Sequence, residues 1–504
     1  MKLILKKTAL IIALLMIFSS VTGLLTSCKK TEENYEDPTD VSDSTVNDKE
    51  DINYKEYLPT ATFDGADVKL FLMETRRDQF FTDDGDDYTN VVNQKIVERN
   101  SYIETTYNVY LDYEQTSDGW KGFHDQCQRD LWAGTADFDI IVPDYYYTCE
   151  TSGYFLNLLD YDVIKFDNPY WVSGWNDNVT INNKIYTAVS YYTLDPVNKA
   201  EVLYINNYLA EDCGVDVEAI QESIWEGTWT LEEMKLAMVK ANHDKDGSEE
   251  WSFEDSYGLA YNIWGGRAML FSAGLELSQY DPNSGEVIWK YDKQSNVDIF
   301  QEMYAFFNNN TMSYYGGGDR MAELPDSDRN LFFQGRALFA TNSLEFSSQV
   351  SAHLDSYTVL PMPKYDTNQE DYVTTLLGSC VFGIMKTAKD PVMSATILEA
   401  MSILTYEDIV PVQYDEVLKL RYQTDANVGA MIDMITEKIT MDFAFINSSN
   451  FEEIGTKPFD LIVAYDRNFV SGMLKISGKL DAKLETFLAA YSDTPTVSAP
   501  DLTE

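Results

Sequence analysis

Apolar and polar residues follow one another along the chain in blocks that predict short buried strands separated by helices. Residues 68–73 and 138–142 are apolar runs of strand length, and Pro143 ends the second run. Between them, the apolar residues of 90–107 recur at the spacing of one helix face, and 120–132 is helix-like as well. Strands that alternate with helices in this way predict an α/β layer with a mainly parallel sheet.

The second half of the chain continues the same pattern. Three further segments are strand-like: residues 201–205, 357–360 and 381–385. Thr230 followed by Glu233 forms a capping box ahead of an apolar helix face. Asp390, with proline at the next position, predicts the start of another helix.

The first 27 residues have the composition of a secretory signal. Three lysines precede residues 8–25, which are almost wholly apolar or small. The signal ends in Leu-Thr-Ser-Cys28, which resembles the lipobox of bacterial lipoproteins and implies cleavage before Cys28 and lipidation of its thiol. The alternative is an uncleaved anchor with a chance cysteine. No other run reaches the roughly 18 apolar residues that a membrane span needs.

Residues 28–65 form a different kind of segment, rich in Asp, Glu, Thr, Ser and Asn and poor in large aliphatic residues. Such a segment buries too little apolar surface to offset the entropy of ordering it. We therefore expect a lipidated Cys28 and a disordered acidic tether. The tether would hold a globular body, beginning near Ala66, at the outer face of the cytoplasmic membrane.

Charge and composition exclude several classes of function. The chain has 83 acidic and 37 basic residues, a net charge of −46, so nucleic acid is a poor partner. Three histidines disfavour a multi-histidine metal site or a Ser-His-Asp triad. We therefore expect no cofactor and no metal. Four cysteines beyond the signal show no CxxC spacing, and their pairing stays open: Cys127, Cys149, Cys213 and Cys380.

One acidic segment resembles the start of a calcium-binding loop. Asp244 and Asp246 have the spacing with which such a loop starts. Glu249 occupies the position of the required glycine, and Asp255 that of the closing glutamate. A solvated acidic turn is the simpler hypothesis.

Six short motifs follow one another in the middle of the chain. They lie at residues 137–143, 153–159, 182–186, 203–230, 332–339 and 359–361. Their order and spacing, together with the lipobox, resemble the extracellular solute-binding proteins of bacterial ABC importers, family 1, of the oligosaccharide-binding type. The resemblance covers the chain from about residue 66 to at least residue 405.

This resemblance implies two α/β lobes with a ligand cleft between them, joined by crossings near 193–199 and 361–376. The implied parts are lobe one (66–192 and about 376–405), lobe two (200–360) and C-terminal helices that brace both lobes (406–504). It further implies a monomeric, non-enzymatic receptor. Such a receptor closes on a carbohydrate, here an oligosaccharide, and delivers it to the transmembrane subunits of an ABC permease.

The chain departs from this family at one position. Maltose-type members carry a stacking aromatic residue where this sequence has Glu345, so a maltose-like pocket does not follow from the resemblance. Two other hypotheses stay open. One is a receptor of the same fold for a cationic or peptide-like solute, which the acidity favours, and the other is a surface glycan-binding adhesin or glycan-active enzyme.

A sugar pocket combines aromatic faces with charged and amide side chains that hold hydroxyl groups. Candidates in lobe one are sought where strands end, since α/β sheets bind ligands there. In lobe two they are aromatic residues beside runs of glycine, and the residue that replaces the missing family aromatic. The candidates are Glu74, Arg76, Asp144, Tyr145 and Tyr146 in lobe one, and Trp264, Arg267, Tyr314, Tyr315 and Glu345 in lobe two. Trp171 and Trp175 are expected to pack in the interior.

Overall fold

The computed structural model describes residues 52–82, 90–116, 119–145, 154–281, 284–309, 311–317, 327–414, 427–489 and 491 of the 504-residue chain. The chain divides into two compact units, Met1–Ile52 and Asn53–Glu504. All described residues except Ile52 belong to the second unit. The predicted signal, Cys28 and the predicted tether as far as residue 51 lie outside the described residues.

The strands of the described residues form two larger sheets and one hairpin. They are β1 (Ala66–Met73), β2 (Val109–Thr116), β3 (Ile140–Val142), β4 (Glu201–Asn206), β5 (Tyr257–Tyr261), β6 (Ser278–Asp281), β7 (Glu286–Trp289), β8 (Ser313–Tyr315), β9 (Ala337–Ser343), β10 (Tyr357–Leu360) and β11 (Gly383–Ile384).

Helices surround both sheets. They are α1 (Val91–Tyr107), α2 (Gly119–Ala133), α3 (Ser173–Val179), α4 (Asp195–Asn198), α5 (Asn207–Asp212), α6 (Val217–Trp225), α7 (Leu231–Ala241), α8 (Ile263–Ser272), α9 (Gln294–Phe307), α10 (Ser327–Phe333), α11 (Ser347–His353), α12 (Pro391–Leu404), α13 (Val410–Tyr414), α14 (Asn427–Glu437), α15 (Phe443–Ile446), α16 (Lys457–Val463) and α17 (Phe469–Ala489). No helix in this described part of the chain is both long enough and apolar enough to cross a membrane.

The first sheet has the strand order β11-β3-β1-β2. β1 pairs in parallel with β2 and β3, and β11 runs antiparallel to β3. The last four residues of β1 are all buried, since helices pack on this sheet and parallel strands covered on both faces are apolar throughout. The strands predicted at 68–73 and 138–142 are confirmed, the second in the shorter form Ile140–Val142.

The second sheet has the strand order β10-β4-β9-β5-β8. β5 lies parallel to β8 and β9, whereas β4 runs antiparallel to β9 and β10. Every residue of β4 and of β9 is buried. Each sheet is thus the core of one lobe, and the chain has the predicted two-lobe α/β fold.

Two connections join the sheets: residues 193–200 lead into β4, and residues 361–382 lead from β10 to β11. They run side by side, because Ala200 forms a bridge with Leu376 and the N–H of Glu201 donates to the carbonyl oxygen of Thr375 at 3.0 Å. A cleft between the sheets therefore has these two connections at its base. The lobe boundaries assigned from the sequence stay predictions.

Local sequence signals set the helix starts where they were predicted. The side chain of Thr230 accepts the N–H of Glu233 at 3.4 Å at the start of α7. The side chain of Asp390 accepts the N–H of Met393 at 3.0 Å at the start of α12. Both caps satisfy N–H groups that have no partner inside the helix.

The interior holds the two tryptophans that were expected to pack there. Trp171 and Trp175 are buried, and Nε1 of Trp171 donates to Glu399 of α12 at 2.9 Å. The described cysteines beyond the signal, Cys127, Cys213 and Cys380, are free thiols. Cys149 lies outside the described residues, so the predicted alternatives for its pairing stay open.

The body of the protein begins earlier than the sequence predicted. Residues 52–65 were assigned to a disordered tether, but Tyr54–Tyr57 forms a 3₁₀ helix that packs on lobe one. The Tyr54 ring meets the rings of Tyr170 and Tyr406 edge-on, with centroids 5.7 and 5.9 Å away. The backbone N–H of Tyr54 donates to the carboxylate of Glu407 at 3.0 Å. The composition of the segment hides this contact because a few tyrosines suffice to hold it.

Replacing Tyr54 with alanine is expected to lower the free energy of unfolding by about 1–2 kcal/mol, since two edge-on ring contacts are lost. Urea denaturation measures the change, and limited proteolysis reports whether residues 52–65 detach. Tyr57, an exposed residue of the same turn, supplies the matched control Tyr57→Ala. Equal effects of the two substitutions would contradict the docking of this segment.

Candidate functional site

The carboxyl ends of the parallel strands of both sheets point toward the two connections. In lobe one, β1 ends at Met73 and β3 ends at Val142. In lobe two, β5 ends at Tyr261 and β9 ends at Ser343, beside the start of the antiparallel strand β4. Loops that follow such ends form the ligand sites of open α/β sheets. The cleft between the lobes is therefore the candidate site.

Two cavities with shared walls occupy this region. The smaller, about 250 Å³, is lined by Arg76, Lys199, Glu201, Asn262, Trp264, Arg329, Asn342, Ser343, Glu345, Leu377 and Gly378. The larger, about 530 Å³, is lined by Asn90, Val92, Arg329, Asn342, Ser343, Glu345, Phe346, Ser348, Gln349, Ser351 and Gln413. Because four lining residues are common to both cavities, they are parts of one cleft.

Arg76 fixes the base of the cleft on the side of lobe one. It follows β1, donates to the carbonyl oxygen of Gly378 and lies 3.8 Å from the buried carboxylate of Asp195. These contacts tie the end of β1 to both connections. Burial alone would lower the pKa of Arg76, but Asp195, Cys380 and Asp144 together outweigh it and raise that pKa.

Asp195 is the buried counterpart of Arg76 in the first connection. Its carboxylate accepts Nε2 of Gln79 at 2.9 Å and the N–H of Cys380 at 2.8 Å. Burial alone would raise the pKa of Asp195, but Arg76 and these hydrogen bonds outweigh it and lower that pKa. Asp195 therefore stays ionised and holds three segments together at the base of the cleft.

Trp264 is the aromatic face that lobe two presents to the cleft. It lies in the first turn of α8, where the side chain of Asn262 accepts the N–H groups of Trp264 and Gly265 at 2.9 and 3.0 Å. The indole is 41% exposed. Arg267 lies one turn further on, with its guanidinium 5.5 Å from the indole ring and 3.3 Å from Asp460. The indole is thus held from its own helix and open toward the cavity.

Two glycines allow α8, which carries Trp264, to pack closely against the second sheet on one side and against α16 on another. A Cβ atom on Gly265 would come within 1.8 Å of the Thr341 hydroxyl in β9. A Cβ atom on Gly266 would come within 2.2 Å of the Phe459 ring in α16. The Trp-Gly-Gly-Arg sequence therefore combines an exposed aromatic residue with a close helix-to-sheet contact.

Glu201, the first residue of β4, lies in the floor of the smaller cavity and is 4% exposed. Its burial raises the pKa to about 8, against a smaller lowering by Lys199. Lys199 donates to Glu345, which lines both cavities. Glu201 is therefore mostly protonated at neutral pH, while a Lys–Glu ion pair lies at the rim of the cleft.

The raised pKa of Glu201 predicts a stability change with pH. The folded chain holds the proton of the Glu201 carboxyl more tightly than the unfolded chain, in which the pKa of this carboxyl is 4.5. The free energy of unfolding therefore falls as pH rises from about 4.5 to 8. Glu201→Gln removes this contribution, and urea denaturation at several pH values measures the difference. The exposed Glu254→Gln serves as the control, and its profile should match that of the parent. If E201Q shows the same dependence of unfolding free energy on pH as the parent, Glu201 is not a buried, protonated group.

The predicted residues of lobe one take different positions. Glu74 is exposed in the first turn of a 3₁₀ helix, and Asp144 forms a backbone bridge with Cys380 near Arg76. The Tyr145 ring is buried and meets Trp175 edge-on at 5.3 Å, away from both cavities. Tyr146 lies outside the described residues.

The predicted residues of lobe two divide in the same way. Trp264 and Glu345 line the smaller cavity. Arg267 does not line it, but its guanidinium contacts the Trp264 ring. Tyr314 is 2% exposed and meets Tyr257 edge-on at 5.3 Å, inside the lobe. Tyr315 is half-buried, with its ring 5.2 Å from that of Tyr261.

Sequence reasoning missed several polar residues of the cleft. They are Lys199, Glu201, Asn262, Arg329, Asn342 and Ser343. One signal was available for Glu201, because an acidic residue opens an otherwise apolar strand run at 201–205. Asn342 gives no such signal, since its place in the floor follows only from the pairing of β9 with β4.

The acidic segment that was compared with a calcium loop folds as a turn. The carboxylates of Asp244, Asp246 and Asp255 lie within 4.8 Å of one another. Asp244 accepts the N–H of Gly247 at 2.6 Å, and Asp255 accepts the N–H groups of Lys245 and Ser252 at 2.9 and 2.7 Å. The carboxylates are thus used in closing the turn itself.

Comparisons with known proteins place this architecture. No protein-family model matches the chain, and no curated protein matches its sequence. Solved structures do match, among them the maltose-bound MalE3 of T. maritima, with 15% identity, a TM-score of 0.51 and coverage of 83% of this chain and 100% of that one. The sugar-binding protein MalE of Xanthomonas citri matches with 11% identity, a TM-score of 0.54 and coverage of 85% and 100%.

A third structure agrees with these two. It is an ABC substrate-binding protein of Listeria monocytogenes in complex with cycloalternan, with 12% identity, a TM-score of 0.52 and coverage of 84% of this chain and 100% of that one. At such identities the likeness defines the fold. The chain has the two-lobe fold of MalE-like solute-binding proteins, as the sequence motifs implied.

Proposed function

We propose that this protein is the substrate-binding component of an ABC importer and captures a carbohydrate by closing its two lobes. The observation that carries the proposal is the cleft between the lobes. It combines the exposed indole of Trp264 with amide and carboxyl side chains at the carboxyl ends of both sheets. Sugars offer apolar C–H faces and hydroxyl groups to these two kinds of side chain. Lobe closure would bury such a ligand and create the form that docks on the permease.

The similar structures support a sugar as the ligand class. The T. maritima protein was solved with maltose, and the L. monocytogenes protein with cycloalternan. The missing aromatic residue at Glu345 argues against a copy of a maltose pocket. An oligosaccharide of other linkage or composition is therefore the ligand we propose.

The proposed location follows from the N-terminal sequence. Export by the signal, lipidation of Cys28 and a link of 24 residues to Ile52 would hold the receptor at the outer face of the cytoplasmic membrane. Two or more acyl chains anchor a protein firmly where one does not. We propose that the receptor acts there as a monomer, with the transmembrane subunits of the permease as its partners.

Tryptophan fluorescence of residues 29–504 tests the proposal. The panel contains oligosaccharides, polyamines and short peptides, and long incubation with each sugar is followed by product analysis. Saturable binding of one sugar class without turnover is the expected result. A response to a polyamine alone would replace the carbohydrate with a cation, and product formation would make the protein an enzyme.

A further inference from the structure

Besides Nε of Arg76 at the base of the cleft, two buried polar atoms in its floor have no hydrogen-bond partner within the described residues. They are Oε2 of Glu201 and Nδ2 of Asn342. Both side chains line the smaller cavity, and they are 4% and 8% exposed. An unpaired buried donor or acceptor destabilises a fold by about 1–3 kcal/mol, so an unmatched donor and an unmatched acceptor at one site call for a ligand that completes them.

Both side chains line the same small cavity where β4 begins and β9 ends, although they do not face each other across the sheet. In the antiparallel pairing of β4 with β9, Glu201 lies opposite Ser343 and Asn342 lies opposite Val202. The two residues are therefore one position apart in the register. Oδ1 of Asn342 accepts the N–H of Ser343 at 3.0 Å, which fixes the amide and leaves Nδ2 as its open donor.

The charged groups around the floor already have partners. Lys199 donates to Glu345, and the guanidinium of Arg329 lies 5.1 Å from the centre of the Phe346 ring. Arg76 is engaged by Gly378 and Asp195. The open hydrogen-bonding groups of the smaller cavity are thus a carboxyl oxygen, an amide NH₂ and the Nε–H of Arg76.

A hydroxyl group matches this pair in either state of Glu201. It accepts from the amide, and it donates to the carboxyl oxygen whether that carboxyl is charged or neutral. An ammonium group can also donate to the carboxyl oxygen, most strongly when the carboxyl is ionised, but it has no lone pair to accept a hydrogen bond from the amide NH₂. Burial favours the neutral carboxyl of Glu201, which weakens the case for a cation further.

We infer that Glu201 and Asn342 bind hydroxyl groups at the buried end of the ligand and thereby select an uncharged polyol over a cation. This inference deepens the proposed function and rests on it. Trp264 would supply affinity through its ring face, which many sugars share. The two floor residues would supply specificity, because a site built to hydrogen-bond a hydroxyl rejects an analogue that lacks it.

The first test measures affinity by calorimetry with the full chain and four probes: maltotetraose, raffinose, cellotetraose and spermidine. Glu201→Leu and Asn342→Ala are each expected to lower the affinity for the sugar that the parent binds by about 10- to 100-fold, as the loss of a buried hydrogen bond predicts. Glu254→Leu changes an exposed glutamate of the same lobe and should leave the affinity within twofold.

The second test needs no binding of an oligosaccharide. Glycerol at molar concentration presents the same hydroxyl groups, and the side-chain amide signal of Asn342 in the ¹⁵N spectrum reports its arrival. The N342A spectrum assigns this signal. The buried amide of Asn296 is the control, because its Nδ2 already donates to the carbonyl oxygens of Glu276 and Lys290 at 2.6 and 2.7 Å. A shift at Asn342 and none at Asn296 is the expected result.

The two tests separate failure of this inference from failure of the proposed function. Sugar binding that survives both floor substitutions overturns the inference and leaves the receptor function intact. Absence of sugar binding with a glycerol shift at Asn342 rejects the proposed function for these sugars and supports the hydroxyl site. An unshifted Asn342 amide, or spermidine binding that depends on Glu201 but not on Asn342, overturns the inference.

Discussion

Replacing Asp195 with alanine is expected to lower the free energy of unfolding by about 3–5 kcal/mol, as breaking a buried ion pair does. The substitution leaves Arg76 without its counter-ion and removes the acceptor of Gln79 and of the Cys380 N–H. These contacts join the end of β1 to both connections between the lobes. Urea denaturation followed by circular dichroism measures the loss.

A set of matched variants shows which contact matters. Asp195→Asn keeps an acceptor and should lose less stability than Asp195→Ala. The double variant Arg76→Met with Asp195→Leu should lose less than the sum of its single substitutions, because no unpaired charge stays buried. Additive single effects would mean that Arg76 and Asp195 do not act as a pair.

Apolar patterning predicted the central strand of lobe one because a parallel strand buried on both faces leaves an apolar run. This strand was predicted at 68–73, and burial of β1 from Leu70 to Met73 follows directly from that run. β2 was not singled out, because it lies at the edge of its sheet and only its first and last residues are buried. An edge strand carries a weaker signal than a central one.

The candidate site was predicted only in part, and the failures have a physical cause. The end of the first strand indicated Arg76, and the missing family aromatic indicated Glu345, but neither signal states which way an aromatic ring points. Tyr145 and Tyr314 follow or belong to strands as expected, yet their rings fill the interior of the lobes. The cleft floor depends on the register of β4 against β9, which local sequence does not encode.

The docked segment 52–65 shows the same limit for disorder. Disorder was predicted from the composition of residues 28–65 taken as a whole, and such an average is insensitive to a few residues that pack. A short stretch escapes the average when a ring such as Tyr54 finds partners that are distant in sequence. Local composition cannot predict long-range contacts of this kind, and the prediction for residues 52–65 was wrong for that reason.

Replacing Trp264 with alanine is expected to weaken sugar binding by about 30-fold, since an aromatic anchor contributes about 2 kcal/mol. The free energy of unfolding should change by less than about 1 kcal/mol, because the indole is 41% exposed and gives up only its contact with Arg267. Calorimetry with the sugar that binds the parent measures the affinity, and urea denaturation measures the stability.

Trp225 provides the matched control for this prediction. It lies at the end of α6 in lobe two and is 48% exposed, but it lines neither cavity. Trp225→Ala should therefore leave both the affinity and the ligand-induced fluorescence change intact, whereas Trp264→Ala should lower both. If the two variants bind sugar equally well, Trp264 is not a stacking platform, and binding must depend on the polar floor alone.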